Sequence, residues 1–214
     1  MASEDHDFEE ISWAYGKTSK HSWIKDSGSN MVGKLSLDGL LEAFESWSSD
    51  CEINHDDIRE ILQLSIDRGE CYSEFFIRLM HLWYGDTGLV VIDASHKNLK
   101  ELFAQEMSSE LKGEGIAPNV LPGNIKPRDI NLFHSPPEGP RVGVIPSDNG
   151  PISNGKLISG ESPVELSPSV LLRPLYQEKI LPNSHVILGP SEIKYWQQLV
   201  PVFEKLKINM PNLY

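Results

Sequence analysis

Leu37, Leu40, Leu41, Phe44 and Trp47 recur at three- and four-residue spacings, which places them on one face of a helix, with Ser36 set to cap its start. Asn54 is set to cap a second helix that presents Ile58, Ile61, Leu62 and Ile66 and stops near Gly69. Ser73 opens a third, carrying Phe76, Leu79, Met80 and Trp83. The pattern then changes. Residues 89–92 form a short continuous apolar run ended by Asp93, and helical spacing resumes at Leu99, Leu102, Phe103, Met107 and Leu111. Apolar strand, polar turn and amphipathic helix make the βα unit of a parallel sheet. The same logic returns later: a helix over residues 168–178, a strand over 185–188, a Gly189-Pro190 turn, and a helix bearing Ile193, Trp196, Leu199 and Val200 that Pro201 kinks or ends.

Two stretches lack this order. Residues 12–35 are rich in Ser, Gly, Lys and Trp without a clear period, which predicts a loop or short hairpin. Residues 113–165 are dense in Gly and Pro, with β-like runs at 130–133, 142–145 and 156–158, a composition that suits an inserted β-rich lobe. No internal repeat is visible.

Charge narrows the partners. A net charge of -12 disfavours nucleic acid or an anionic membrane surface. No apolar run approaches the roughly 20 residues that span a bilayer, and no basic segment followed by an apolar core directs secretion. Cys51 and Cys71 have no Cys-x-x-Cys spacing and read as reduced, structural thiols of a cytoplasmic protein.

Several residues could carry chemistry. Glu4, Asp5, His6 and Asp7 place three acids and an imidazole in four consecutive positions, able to bind a metal, act as acid and base, or hold amine and hydroxyl groups; a solvated acidic terminus reads the same. No metal is expected, because the other histidines (21, 55, 81, 96, 134 and 185) show no zinc-ligand spacing. Gly189-Pro190-Ser191-Glu192 opens a helix whose N–H groups suit an anion, or is a normal start capped by Ser191. Arg128 with Asn131, and Arg173 with Gln177, suit bidentate carboxylate recognition, although an arginine paired to a structural carboxylate looks identical. Gly16-Lys17-Thr18-Ser19 mimics the tail of a P-loop, but Ile11 stands where the first glycine is required.

The acidic opening, followed at a distance by Gly88-Leu89-Val90-Val91-Ile92-Asp93, Pro127-Arg128-Asp129-Ile130-Asn131-Leu132-Phe133, Arg173-Pro174-Leu175-Tyr176-Gln177-Glu178, Leu181-Pro182-Asn183 and Gly189-Pro190-Ser191-Glu192-Ile193-Lys194-Tyr195-Trp196, resembles the bacillithiol biosynthesis cysteine-adding enzymes, the BshC family of cysteine ligases. The resemblance covers nearly the whole chain. It implies that Met1 is an internal position of a longer protein, and that the chain is an internal fragment lacking a Gly-Gln-Gln-containing nucleotide-binding segment and a C-terminal coiled coil.

From the resemblance follows an expected α/β fold: a partial Rossmann-like parallel sheet, similar to class I synthetases and nucleotidyltransferases. Its core would comprise residues 1–12, 86–112 and 163–214, with a mainly helical insertion at 13–85 and an irregular β-rich insertion at 113–162. The implied reaction joins L-cysteine to glucosaminyl-malate through an amide. Asp5, His6 and Asp7 would be catalytic; Glu4, Arg128, Asn131, Arg173, Gln177, Gly189, Glu192, Tyr195 and Trp196 would bind substrate. By fold analogy ATP would activate the carboxyl group. The family motif continues with an Asn-His or Asn-Tyr pair where Ser12-Trp13 stand, and this fragment alone is expected to have little activity. The whole family protein is expected to be a homodimer and this fragment a monomer. Two alternatives remain: a non-catalytic remnant or binding module, and a metal-dependent hydrolase built on the acidic cluster.

Overall fold

A computed structural model describes residues 10–15, 19–24, 31–51, 55–136, 140–158 and 165–214. The chain divides into two units, one running through Asp93 and including Pro140, the other comprising Ala94–Pro137 and Arg141–Tyr214.

The first unit opens with an antiparallel hairpin, β1 (Glu10–Tyr15) and β2 (Ser19–Ile24), in register from Glu10↔Ile24 to Tyr15↔Ser19. Three helices follow: α1 (Leu40–Cys51), α2 (Asp56–Asp67) and α3 (Tyr72–Tyr84). Their apolar stripes bury Leu40, Leu62, Tyr72 and Phe75 with Trp23, Leu35 and Leu37 in one core. Gly69 ends α2 at φ +68°, a left-handed conformation that costs glycine nothing. Ser36 does not cap α1: its hydroxyl bonds the Asp38 carboxylate, and its backbone bridges to Cys71. Cys71, not Ser73, stands at the N-cap of α3, where its N–H donates to Glu74 at 2.8 Å. His55 holds the N-cap position of α2, and Asn54 lies outside the described residues.

Residues 89–92 are not a strand. Their backbone has no ladder partner among the described residues, and Val90 is 75% exposed. An apolar run becomes a strand only where a neighbour meets its N–H and C=O groups.

In the second unit the single helix expected over residues 99–111 is two: α4 (Lys97–Glu101) and α5 (Ala104–Leu111). Leu102 and Phe103 are adjacent, at the two edges of one helical stripe. Tight i→i+3 bonds, Leu102 N to Leu99 O and Phe103 N to Lys100 O, turn Phe103 fully inward and leave Leu102 exposed.

Three short strands form an antiparallel sheet in the order β4 (Val142–Gly143), β3 (Leu132–His134), β7 (Leu166–Pro168). A separate hairpin, β5 (Ile152–Ser153) with β6 (Lys156–Leu157), turns through Asn154 and Gly155, both at positive φ. Pro168 is therefore the end of an edge strand, a position that needs no donor, rather than a helix start. The helix α6 (Arg173–Ile180) begins later, with Pro174 in its first turn. Beyond it, β8 (His185–Val186) pairs in parallel with β9 (Asn212–Leu213). Between them α7 (Pro190–Gln198) ends before Pro201, which falls in the first turn of a new helix, α8 (Val200–Leu206). Phe103, Leu132, Leu171, Leu172, Leu175, Leu199, Val202 and Phe203 fill the core among these elements.

Candidate functional site

The acidic cluster Glu4, Asp5, His6 and Asp7 lies outside the described residues. The other candidates all belong to the second unit, and they fall into three groups rather than one pocket.

The first group surrounds a buried acid. Glu110, on the last turn of α5, is 1% exposed, and its carboxylate accepts Ile116 N at 2.6 Å and Asn131 N at 2.8 Å. Asn131 closes a turn onto Arg128, accepting the Arg128 N–H through Oδ1 at 3.2 Å and donating through Nδ2 to the Arg128 carbonyl at 3.0 Å. Every polar atom of the Asn131 side chain is thus engaged within the protein. Its work here is to hold Arg128 at the mouth of β3. The Arg128 guanidinium is solvent-exposed, lies 4.8 Å from the Phe133 ring centroid, and has no carboxylate partner among the described residues.

The second group is on α6. Arg173 is exposed at the first turn, whereas Gln177 donates to the neighbouring Glu178 at 2.9 Å. Glu178 is 2% exposed and accepts both the backbone N–H (2.9 Å) and the side-chain amide (2.8 Å) of Asn183. A buried carboxylate is tolerated only when donors replace its water, and these do so. The Leu-Pro-Asn segment is thereby tied to α6.

The third group is the start of α7. Glu192 folds back so that its carboxylate accepts Gly189 N–H at 2.8 Å, while Pro190 offers no N–H. The anion at this helix start is the chain's own, and Ser191 is not the cap. Tyr195 is half-buried against the core, and Trp196 is 2% exposed and stacks on Phe203 with centroids 6.0 Å apart. Trp196 therefore sets where α7 sits. Gln198, on the same helix, accepts Ile125 N (3.1 Å) and donates to Leu121 O (2.9 Å) and Ile125 O (2.8 Å). Asn124 adds a bond to Ser191 O, so the loop over residues 121–125 is clamped along α7.

Sequence reasoning missed Glu110, Glu178 and Gln198. A signal existed for the first: Glu110 falls three residues after Met107, on the apolar face of its own helix. Among the described residues no group of three His, Cys, Asp or Glu side chains is arranged to hold a metal ion, and no helix is long and apolar enough to cross a membrane.

The described elements make a mixed α/β protein with small sheets, its candidate polar residues at the ends of short strands and helices of one unit, and the family match gives its class as Rossmann-like. The profile of the family described as "Bacillithiol biosynthesis BshC, N-terminal Rossmann-like domain" matches residues 1–141 and 153–214, and the chain belongs to that family. Relatives bearing the name "Putative cysteine ligase BshC" include those of Christiangramia forsetii, 32% identical, and Flavobacterium johnsoniae, 30% identical; each alignment covers 100% of this chain and 44% of the relative. The relative of Oceanobacillus iheyensis is 26% identical, with 46% of its length covered. The chain thus spans less than half the length of the relatives it matches.

Proposed function

We propose that the chain carries part of a ligase of bacillithiol biosynthesis that joins L-cysteine to glucosaminyl-malate. The family match, which extends through the Glu4–Asp7 cluster, carries this reading. The amine of glucosaminyl-malate would attack the cysteine carboxyl carbon: the C–N bond forms, a carboxyl C–O bond breaks, the oxygen leaves with the group that activated it, and the amine gives up its proton to a base. A free carboxylate resists such attack, and ATP is the co-substrate we infer to activate it. His6, with Asp5 and Asp7, orients the amine and takes its proton, and Glu4 binds the sugar hydroxyls. Arg173, at an exposed position, and Tyr195 would bind the substrate, with Gln177 and Trp196 holding α6 and α7 in place. Gly189 and Glu192, at the start of α7, are the further candidates for binding substrate.

The segments 13–85 and 113–162 would be insertions into the ligase core. The whole protein would act as a dimer in the cytoplasm, without nucleic acid or membrane, and this chain alone as a monomer. Because the chain covers under half of its relatives, substrate binding without turnover is the form of activity we expect from it. Thermal unfolding with glucosaminyl-malate, cysteine and ATP tests the reading. Stabilisation by glucosaminyl-malate that Asp7→Ala abolishes supports it; no stabilisation by any of the three would sink it.

A further inference from the structure

Folding removes the Glu110 carboxylate from water, and its oxygens accept backbone N–H groups from two separate loops, Ile116 at 2.6 Å and Asn131 at 2.8 Å. Both loops wall one cavity of about 400 Å³, with Pro118 from the first and Asp129 and Ile130 from the second. A third wall is the turn before β5, closed by Ser147 N to Gly150 O at 3.1 Å and Gly150 N to Ser147 O at 3.0 Å. Gly113, just past α5, and Gly150 line the space with backbone alone, at φ values of +77° and +119° that L side chains rarely adopt. Pro118 and Ile130 give it apolar surface. The charges that line it belong to Asp129 and Lys112, both exposed. Neither side chain makes a hydrogen bond or ion pair among the described residues, so neither charge is matched within the protein.

We propose that this cavity binds a free α-amino acid as a zwitterion, its ammonium held by Asp129, its carboxylate by Lys112 and its side chain against Pro118 and Ile130. A free carboxylate and a free ammonium around one cavity are both matched only by a ligand that carries both charges. An amine alone answers Asp129 and meets Lys112 as a like charge, and a simple acid does the reverse. The volume falls within the roughly 300–1,000 Å³ of small-molecule sites. The walls stand before any ligand arrives, because Glu110 ties two of them together and the Ser147–Gly150 turn closes the third, so little ordering entropy is lost on binding. That is a use for a buried acid whose desolvation is costly: it supports the loops that carry the binding groups. The inference goes beyond the ligase reading, since none of the residues assigned there to catalysis or substrate lines this cavity.

NMR titration of the isotope-labelled whole chain at low ionic strength tests this, with L-alanine as the zwitterion and ethylamine and propionate as probes that each lack one charge. The amide signals of Gly113 and Gly150 should move saturably with L-alanine, and ethylamine and propionate should bind at least tenfold more weakly. Asp129→Asn and Lys112→Met each remove one charge at an exposed position. Each should weaken L-alanine binding tenfold or more with an unchanged circular dichroism spectrum. L-alanine that leaves both glycines unmoved, binding that either variant leaves unchanged, or ethylamine or propionate binding as tightly as L-alanine would overturn the proposal. The ligase reading stands or falls separately, on glucosaminyl-malate and Asp7→Ala.

Discussion

Gly123 lies directly against the side chain of Gln198: a Cβ at Gly123 would come within 2.3 Å of Gln198 Cδ. Gln198 cannot yield, because its amide holds the backbone of Leu121 and Ile125. Gly123→Ala should therefore destabilise the second unit by about 1–3 kcal/mol, the usual cost of overpacking. Gln198→Leu, which keeps the bulk and strands three backbone groups, should cost at least as much. Urea unfolding followed by tryptophan fluorescence measures both, and a wild-type midpoint for Gly123→Ala would contradict the contact.

Glu110 is the acid on which two loops converge. Replacing it by Gln puts an NH2 group opposite one of the two donors, Ile116 N–H or Asn131 N–H, that its two oxygens accept. The expected loss is about 2–3 kcal/mol, the value of a hydrogen bond to a charged acceptor with its partner left unpaired. Hydrogen exchange should show the amide of Ile116 or that of Asn131, whichever faces the new NH2, exposed in the variant ahead of those in α6.

Burial pushes the Tyr72 hydroxyl up to about 12, from an ordinary value near 10. The folded unit keeps the proton where the unfolded chain has lost it. Stability from this group is fully present below about pH 10 and falls as pH rises towards 12, by on the order of 2–3 kcal/mol across that window. Tyr72→Phe should flatten this alkaline loss. Thermal unfolding of wild type and variant at pH 8, 10 and 11 provides the comparison, and parallel losses in the two proteins would exclude Tyr72 as the source.

The Glu70 carboxyl is held below the usual carboxylate range by its hydrogen bonds from Arg78, one of them at 2.6 Å. A depressed folded value means that the pairing stabilises above the unfolded value near 4 and is lost as pH falls through the folded one. In Arg78→Met the Glu70 carboxyl should titrate higher than in wild type, measured by carbon-detected NMR; unchanged titration would remove Arg78 as the cause.

Trp196 and Arg173 should separate packing from binding. Trp196→Ala opens a cavity beside Phe203 and should cost about 3–5 kcal/mol. Arg173→Ala, at an exposed position, should change stability by less than about 1 kcal/mol while removing any stabilisation by glucosaminyl-malate. A drop in stability for Arg173→Ala as large as that for Trp196→Ala would assign it to the fold instead.

Much of the fold was legible. The stripe from Leu40 to Trp47 is α1, Gly69 closes α2, and Pro201 ends one helix and starts another. The family was legible as well, through blocks spread along the chain. Other features were not. Leu102 and Phe103 fit one helical stripe, yet only Phe103 is buried, because the turn between α4 and α5 rotates one inward at the other's expense. The candidate residues read as equals in the sequence, but Asn131 and Gln177 spend their amides on Glu110, Arg128 and Glu178, whereas Arg128 and Arg173 reach solvent.

By itself the sequence determined which segments are helical and that Gly69 and Pro201 interrupt them, because periodicity, glycine and proline act through the free energy of a few neighbouring residues. Only the tertiary structure decided which polar side chains are consumed as struts. Gln198 meets Ile125 across 73 positions, and Arg141 meets Ser167 across 26. Such bonds exist only after the chain has returned on itself, and their value comes from the water excluded around them, which no local pattern encodes.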